Sequence, residues 1–85
     1  RLRPPDLTLI APVENMLITT PTVALQGKTE REATVMVNSV PVLPDQNGHF
    51  QSLVDLQRGV NLLRVSSRKP HTPENVIYRR VVYQP

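Results

Sequence analysis

Histidines, carboxylates and serines are the side chains with which this 85-residue chain could bind a metal or catalyse a reaction. The two histidines, His49 and His71, are far apart, and the chain contains no cysteine. The clustered His and Cys ligands of a zinc site are therefore missing. Residue context predicts His49 beside a turn and His71 in a solvated loop. We predict no metal site and no bound cofactor.

Most carboxylates fall in predicted turns, where they would cap backbone groups or balance charge, and no pair is arranged as a general acid and base. Asp45 and Asn47 faintly resemble a calcium loop, but the bidentate glutamate that closes such a loop is missing. The serines lack a Gly-x-Ser-x-Gly turn. These absences predict that the protein is not an enzyme. The carboxylates concerned are Asp6, Glu14, Glu30, Glu32, Asp45, Asp55 and Glu74.

The composition is that of a small globular domain built from strands. Apolar residues make up 39% of the chain and charged residues 20%, and a chain of this length folds as one domain with a modest core. Nine prolines and three glycines separate short valine- and threonine-rich runs, which is typical of strands joined by turns. The formal charge of +3 is scattered along the chain, which argues against nucleic-acid binding.

Alternation of apolar and polar residues predicts an all-β fold, a two-sheet sandwich of about seven antiparallel strands. A turn around Glu14-Asn15 follows the first strand, and Asn38-Ser39 is predicted as a tight hairpin turn. The return run of that hairpin contains Pro41 and Pro44, which confine it to a sheet edge. The predicted strands are residues 7–11, 22–27, 33–38, 40–44, 49–56, 60–67 and 76–83.

The same alternation separates inward from outward side chains. Phe50 is predicted at the centre of the core, whereas Arg64 and Ser66 are predicted to face water. The last strand has two competing apolar registers, which a bulge near Arg79-Arg80 would reconcile. The predicted inward residues are Val23, Leu25, Ala33, Val35, Val37, Phe50, Val54, Leu56, Leu63 and Val65.

With the turns placed, residues 21–30, 33–38, 45–48 with Phe50, and 56–61 together resemble a bacterial immunoglobulin-like domain of surface, envelope or secreted proteins. The resemblance runs from about Leu7 to Tyr83, so residues 1–6 are predicted as a linker or lead segment and residues 7–85 as the domain. It implies an immunoglobulin-like sandwich. Gly27 is expected where the backbone bends, Gly48 at a positive φ, and Asn61 bonding backbone at a strand edge.

The chain departs from the family pattern at two turns. It has Arg31-Glu32 where the family usually has Pro-Gly, and Asn38-Ser39 where the family usually has Asn-Gly. A narrower resemblance is to the extracytoplasmic C-terminal module of RodZ-like membrane-anchored helix-turn-helix proteins, through the proline-containing lead Arg3-Pro4-Pro5. It implies a partner that belongs to cell-envelope or cytoskeletal machinery. The start at Arg1 without a methionine, in a loop-like lead, predicts an excised module, with any membrane contact made by a segment outside this fragment.

The resulting functional prediction is a noncatalytic extracytoplasmic module that serves as a spacer or binds a protein partner or flanking domains. One alternative is an accessory domain of a carbohydrate-active enzyme that contacts polysaccharide, such as that of the cell wall, through Tyr78 and Tyr83. Another is a weak binder of anionic polymers through Arg64, Arg68, Lys69, Arg79 and Arg80. The predicted interaction face consists of Met36, Leu53, Leu62, Arg64, Tyr78 and Arg79.

Overall fold

Eight β-strands and no helix make up the regular structure of residues 2–85, which are the residues that the computed structural model describes. No helix able to cross a membrane is therefore found in this range. The strands are β1 (Leu7–Ala11), β2 (Met16–Ile18), β3 (Thr22–Thr29), β4 (Thr34–Val37), β5 (Val40–Val42), β6 (His49–Asp55), β7 (Gly59–Arg68) and β8 (Asn75–Tyr83).

The strands form a three-stranded sheet in the order β1-β3-β6 and a five-stranded sheet in the order β2-β8-β7-β4-β5, in a sandwich-like arrangement. The prediction of an all-β fold with two sheets is confirmed. The prediction of about seven antiparallel strands is wrong, because an eighth strand, β2, follows the turn at Glu14-Asn15 and pairs with β8 in parallel. Three apolar residues are too few to show an alternating pattern.

The core lies between the two sheets, and its composition confirms the predicted inward residues. Phe50 is buried, as are Leu25, Leu63 and Val65. Gly27 lies directly opposite Phe50 on the neighbouring strand. A Cβ at Gly27 would come within 2.9 Å of both Phe50 Cε atoms, so a close approach of backbone to ring, rather than a bend, requires this glycine.

The last strand is regular, and the bulge predicted near Arg79-Arg80 is wrong. Pairing of β7 with β8 continues without a shift from Gly59↔Tyr83 to Ser67↔Asn75. Val81 faces the core, and the competing apolar residues simply occupy the outer face. The irregularity lies in β1, between Leu9 and Ala11. Ser66, which was predicted to face water, is 2% exposed, because it lies on a central strand between Met36 and Val76.

Three short polar motifs fix the turns that align the strands. Asn38 and Ser39 both have positive φ, as the predicted tight hairpin requires. Asp45 Oδ1 accepts hydrogen bonds from the backbone N–H groups of Asn47 and His49, and Gly48 has the expected positive φ. The Asn61 side chain bonds the backbone of residues 57 and 59, as predicted.

A polar joint connects the two sheets beside the apolar core. The Thr29 hydroxyl donates to the carbonyl of Asp6 at 2.7 Å. It lies 2.6 Å from the Ser67 hydroxyl. Since the single Thr29 proton is used by Asp6, the Ser67 hydroxyl is the donor in this inter-sheet bond. Nearby, Lys69 Nζ lies 2.6 Å from Glu30 Oε1, which adds an ionic contact to the same joint.

Candidate interaction face

A row of exposed apolar side chains covers one end of the outer face of the five-stranded sheet. Pairing places Leu17 beside Val82 and Val82 beside Val60. Leu62 lies two residues after Val60 on β7, and Tyr78 lies four residues before Val82 on β8. Both therefore point to the same face. We call the set Leu17, Val60, Leu62, Tyr78 and Val82 the apolar strip. Four of its members are more than half exposed.

Arginines border the apolar strip. Arg80 lies directly opposite Leu62, and Arg64 lies directly opposite Tyr78. The phenol of Tyr78 and the carboxylate of Glu74 both raise the pKa of Arg64 above its ordinary value. Its Nη2 lies 3.3 Å from Glu74 Oε1. Arg64 is thus partly neutralised and held against the sheet, whereas the exposed Arg80 makes no salt bridge within residues 2–85.

The structure brings together four of the six residues that were predicted to form an interaction face. Leu62, Arg64 and Tyr78 lie on the outer face, together with the half-buried Met36. Leu53 is exposed on β6 and therefore belongs to the other sheet. Arg79 points to the opposite side of β8 from Tyr78. Its guanidinium donates to the carbonyl of Pro12.

Sequence reasoning missed Leu17 and Val60 as members of this surface. Val60 shares the parity of Leu62 in a run whose inward residues were assigned, so alternation alone would have found it. Leu17 carried no such signal, because the face that it occupies depends on the pairing of β2 with β8.

Three of the five basic residues proposed to bind an anionic polymer are paired with carboxylates. Lys69 is paired with Glu30, Arg64 with Glu74, and Arg79 with Glu14 at 3.9 Å. Of the five candidates, only Arg68 and Arg80 make no salt bridge within the described residues. Pairing with carboxylates weakens the attraction of these side chains for phosphate or sulfate.

The two tyrosines proposed to contact polysaccharide face opposite sides of β8. Tyr78 is 57% exposed on the outer face. Tyr83 is half-buried and packs against the core. The pair therefore does not form one aromatic platform.

A depression in the surface lies where the segment after β5 passes β6. Its volume is about 520 Å³, and its walls include Leu43, Phe50 and Gln51. The titratable side chains there are Asp45 and His49. Asp45 already accepts two backbone hydrogen bonds in its turn. From Leu2 to Pro85, no three His, Cys, Asp or Glu side chains are grouped so that they could hold a metal ion.

Comparison of the sequence with protein-family models and with curated proteins gave no significant match.

Proposed function

We propose that this chain is a noncatalytic, extracytoplasmic immunoglobulin-like module of a bacterial envelope or secreted protein, and that it binds a protein partner through the apolar strip. The contiguity of the strip carries the proposal, because pairing across β2, β8 and β7 joins five apolar side chains on one face. Contiguous exposed apolar surface is typical of protein contact sites. The extracytoplasmic location and bacterial origin rest on the sequence resemblance.

The order of the strands supports the immunoglobulin-like assignment. In that fold the first, second and fifth strands share one sheet, and the third, sixth and seventh share the other. Here β1, β3 and β6 correspond to the first group, and β4, β7 and β8 to the second. β5 pairs with β4, as the additional strand next to the third strand does in variable-type domains.

The chemistry of the strip favours a protein partner with an apolar centre and an acidic rim. Its centre offers leucine, valine and one tyrosine. Beside it, Arg80 offers a positive charge that makes no salt bridge within residues 2–85. Tyrosine and arginine are enriched in protein interfaces. A polysaccharide site would instead present several exposed aromatic rings, and a polyanion site a continuous run of free cations.

Site-specific photocrosslinking in cells that produce the protein tests this proposal. The photoreactive residue p-benzoylphenylalanine is placed at Leu62, within the strip, and at Lys28, exposed on the other sheet. We expect a discrete protein adduct from position 62 and none from position 28. We also expect Arg80→Glu to reduce the adduct, because it would repel an acidic rim.

Equal adducts from both positions, or none from either, would contradict the proposed function. Binding of cell-wall polysaccharide that is lost in Tyr78→Ala would contradict it as well, and would favour the carbohydrate alternative. Thermal unfolding of each variant shows whether the fold is retained.

A further inference from the structure

One side of β6 carries backbone groups that no strand satisfies. Residues of β6 at even positions point their N–H and C=O groups towards β3, as the bonds Thr29 N to Gly48 O and Leu56 N to Pro21 O at its two ends show. In an antiparallel pair, hydrogen-bonding residues alternate along each strand. Gln51, Leu53 and Asp55 therefore point theirs away from β3, to the open side of the sheet.

The open stretch of β6 has definite limits. At its beginning, Asp45 already bonds the backbone of His49, with Asp45 N 2.8 Å from His49 O and Asp45 Oδ1 2.9 Å from His49 N. At its end, β6 stops at Asp55. Three residues with free backbone groups remain, and Leu53 is at their centre. The stretch contains no proline, lysine or bulge, which are among the features that protect an edge strand, and its one charged residue, Asp55, lies at its end.

Apolar side chains are concentrated beside this edge. Leu43 is 92% exposed and Leu53 is 75% exposed. They are the two most exposed large apolar side chains of the described residues. Leu53 stands on the outer face of β6 itself, and Leu43 lines the depression next to Phe50 and Gln51.

We propose that a second copy of this chain pairs with β6 along this edge, in an antiparallel register centred on Leu53. In that register each Leu53 lies opposite Leu53 of the second copy, and Gln51 lies opposite Asp55. The two copies then exchange hydrogen bonds at three residue pairs, and the three-stranded sheets join into one sheet of six strands. This contact uses a different surface from the apolar strip.

Self-complementarity is the reason to choose a second copy over a foreign strand. The Leu53 side chains meet each other, and the Gln51 amide faces a carboxylate to which it can donate. No like charges stand opposite each other, because Asp55 meets Gln51. Asp45 limits the open stretch at one end, and the chain turns away after Asp55 at the other. In the antiparallel register, the open stretch of one copy therefore lies opposite the same stretch of the second copy.

The test measures association by sedimentation velocity from low micromolar to millimolar concentration. We expect a monomer–dimer equilibrium in the wild-type chain. Leu53→Lys and Leu53→Glu each place like charges opposite each other and should weaken the dimer at least about tenfold. An equimolar mixture of the two variants should associate again, because lysine then meets glutamate.

Two further variants separate edge pairing from other contacts. Leu53→Pro removes an N–H that β3 does not use, so the domain should remain folded while the dimer is lost. Leu62→Lys makes the same charge change on the apolar strip and should leave the dimer unchanged.

A chain that stays monomeric at all concentrations overturns the proposal. So does dimerisation that survives in both Leu53→Lys and Leu53→Glu, or that is abolished by Leu62→Lys. Amide hydrogen exchange gives an independent readout, since slower exchange at Gln51, Leu53 and Asp55 should depend on protein concentration. Protection of these amides only when a different protein is added would contradict self-pairing and leave the crosslinking result at Leu62 unaffected.

Discussion

The three-stranded sheet ends in β6, which presents the backbone of Gln51, Leu53 and Asp55 to its open side, whereas the five-stranded sheet ends in β5, which presents Pro41. The hairpin turn at Asn38-Ser39 makes Val37 and Val40 a hydrogen-bonded pair. Val40 and Val42 consequently point their backbone N–H and C=O groups towards β4. Proline has no N–H to offer a neighbouring strand. The β5 edge thus offers a neighbouring strand no N–H, whereas the β6 edge offers three.

The outer faces of the two sheets differ as well. On the five-stranded sheet the exposed apolar residues form the apolar strip, whose contacts would be made by side chains. On the three-stranded sheet, Leu53 lies between Gln51 and Asp55 and opposite Ala24, and the unsatisfied groups belong to the backbone. Two kinds of association therefore have separate surfaces, and each can be disturbed without the other.

Loss of the Phe50 ring should have the largest effect on stability, because this side chain fixes the open edge strand to the core. Phe50→Ala should cost about 3–5 kcal/mol of unfolding free energy, as for other buried aromatic residues. Val40→Ala, at the exposed start of β5, should change it by less than about 0.5 kcal/mol. Urea unfolding of both variants measures the difference. A comparable loss from both would show that Phe50 does not anchor its strand.

Gly27→Ala should be the next most damaging change, since the added methyl group would collide with the Phe50 ring. Overpacking of this kind costs about 1–3 kcal/mol. In the double variant with Phe50→Leu, the penalty of the alanine should be smaller, because the ring that it meets is gone. A double-mutant cycle measures this coupling. Simple additivity of the two changes would contradict the proposed contact.

Strand positions and inner residues were predictable because they depend on local alternation, as Leu25, Val35 and Leu63 show. The pairing of β2 with β8 was not, since three residues contain no information about a distant partner. The open side of β6 was also beyond the sequence, because the order of strands in the sheet, rather than the residues of one strand, decides which strand is last. For the same reason, Leu53 and Tyr78 were predicted to share one face, although they lie on different sheets.

The joint between the sheets depends on the Thr29 hydroxyl, which donates to Asp6 and accepts from Ser67. Thr29→Val conserves shape but leaves the buried Ser67 hydroxyl and the Asp6 carbonyl without this partner. We expect a loss of about 1–3 kcal/mol in unfolding free energy. Thr29→Ser retains the hydroxyl and serves as the matched control. Unchanged stability of Thr29→Val would show that the Thr29 hydroxyl does not contribute to the joint.

The ionic part of the joint should make stability depend on pH. The hydrogen bond from Lys69, followed by that from the Asp6 N–H, lowers the pKa of Glu30 in the folded protein. The ionised carboxylate therefore stabilises the fold above the ordinary glutamate pKa, and this contribution is lost as the pH falls through the lowered value. Glu30→Gln should lower the melting temperature slightly at pH 7.

The difference between wild type and Glu30→Gln should diminish in acid, as the pH falls below the ordinary glutamate pKa and through the lowered one, and it should also diminish in high salt. Glu32→Gln, at an exposed neighbouring glutamate, is the matched control. A difference that persists unchanged in acid would show that the effect of Glu30→Gln is not electrostatic.

Replacing the proline of β5 should have the smallest effect, and it tests whether proline alone distinguishes the two edges. Pro41→Val restores an N–H at the open side of β5. However, β5 has three residues and Pro41 alone points outward, so one residue pair could form where β6 offers three. We therefore expect Pro41→Val to remain monomeric when Leu53→Lys is also present, as measured by sedimentation velocity. Dimerisation of that double variant would mean that the missing N–H of Pro41, rather than the number of free backbone groups, keeps the β5 edge from pairing.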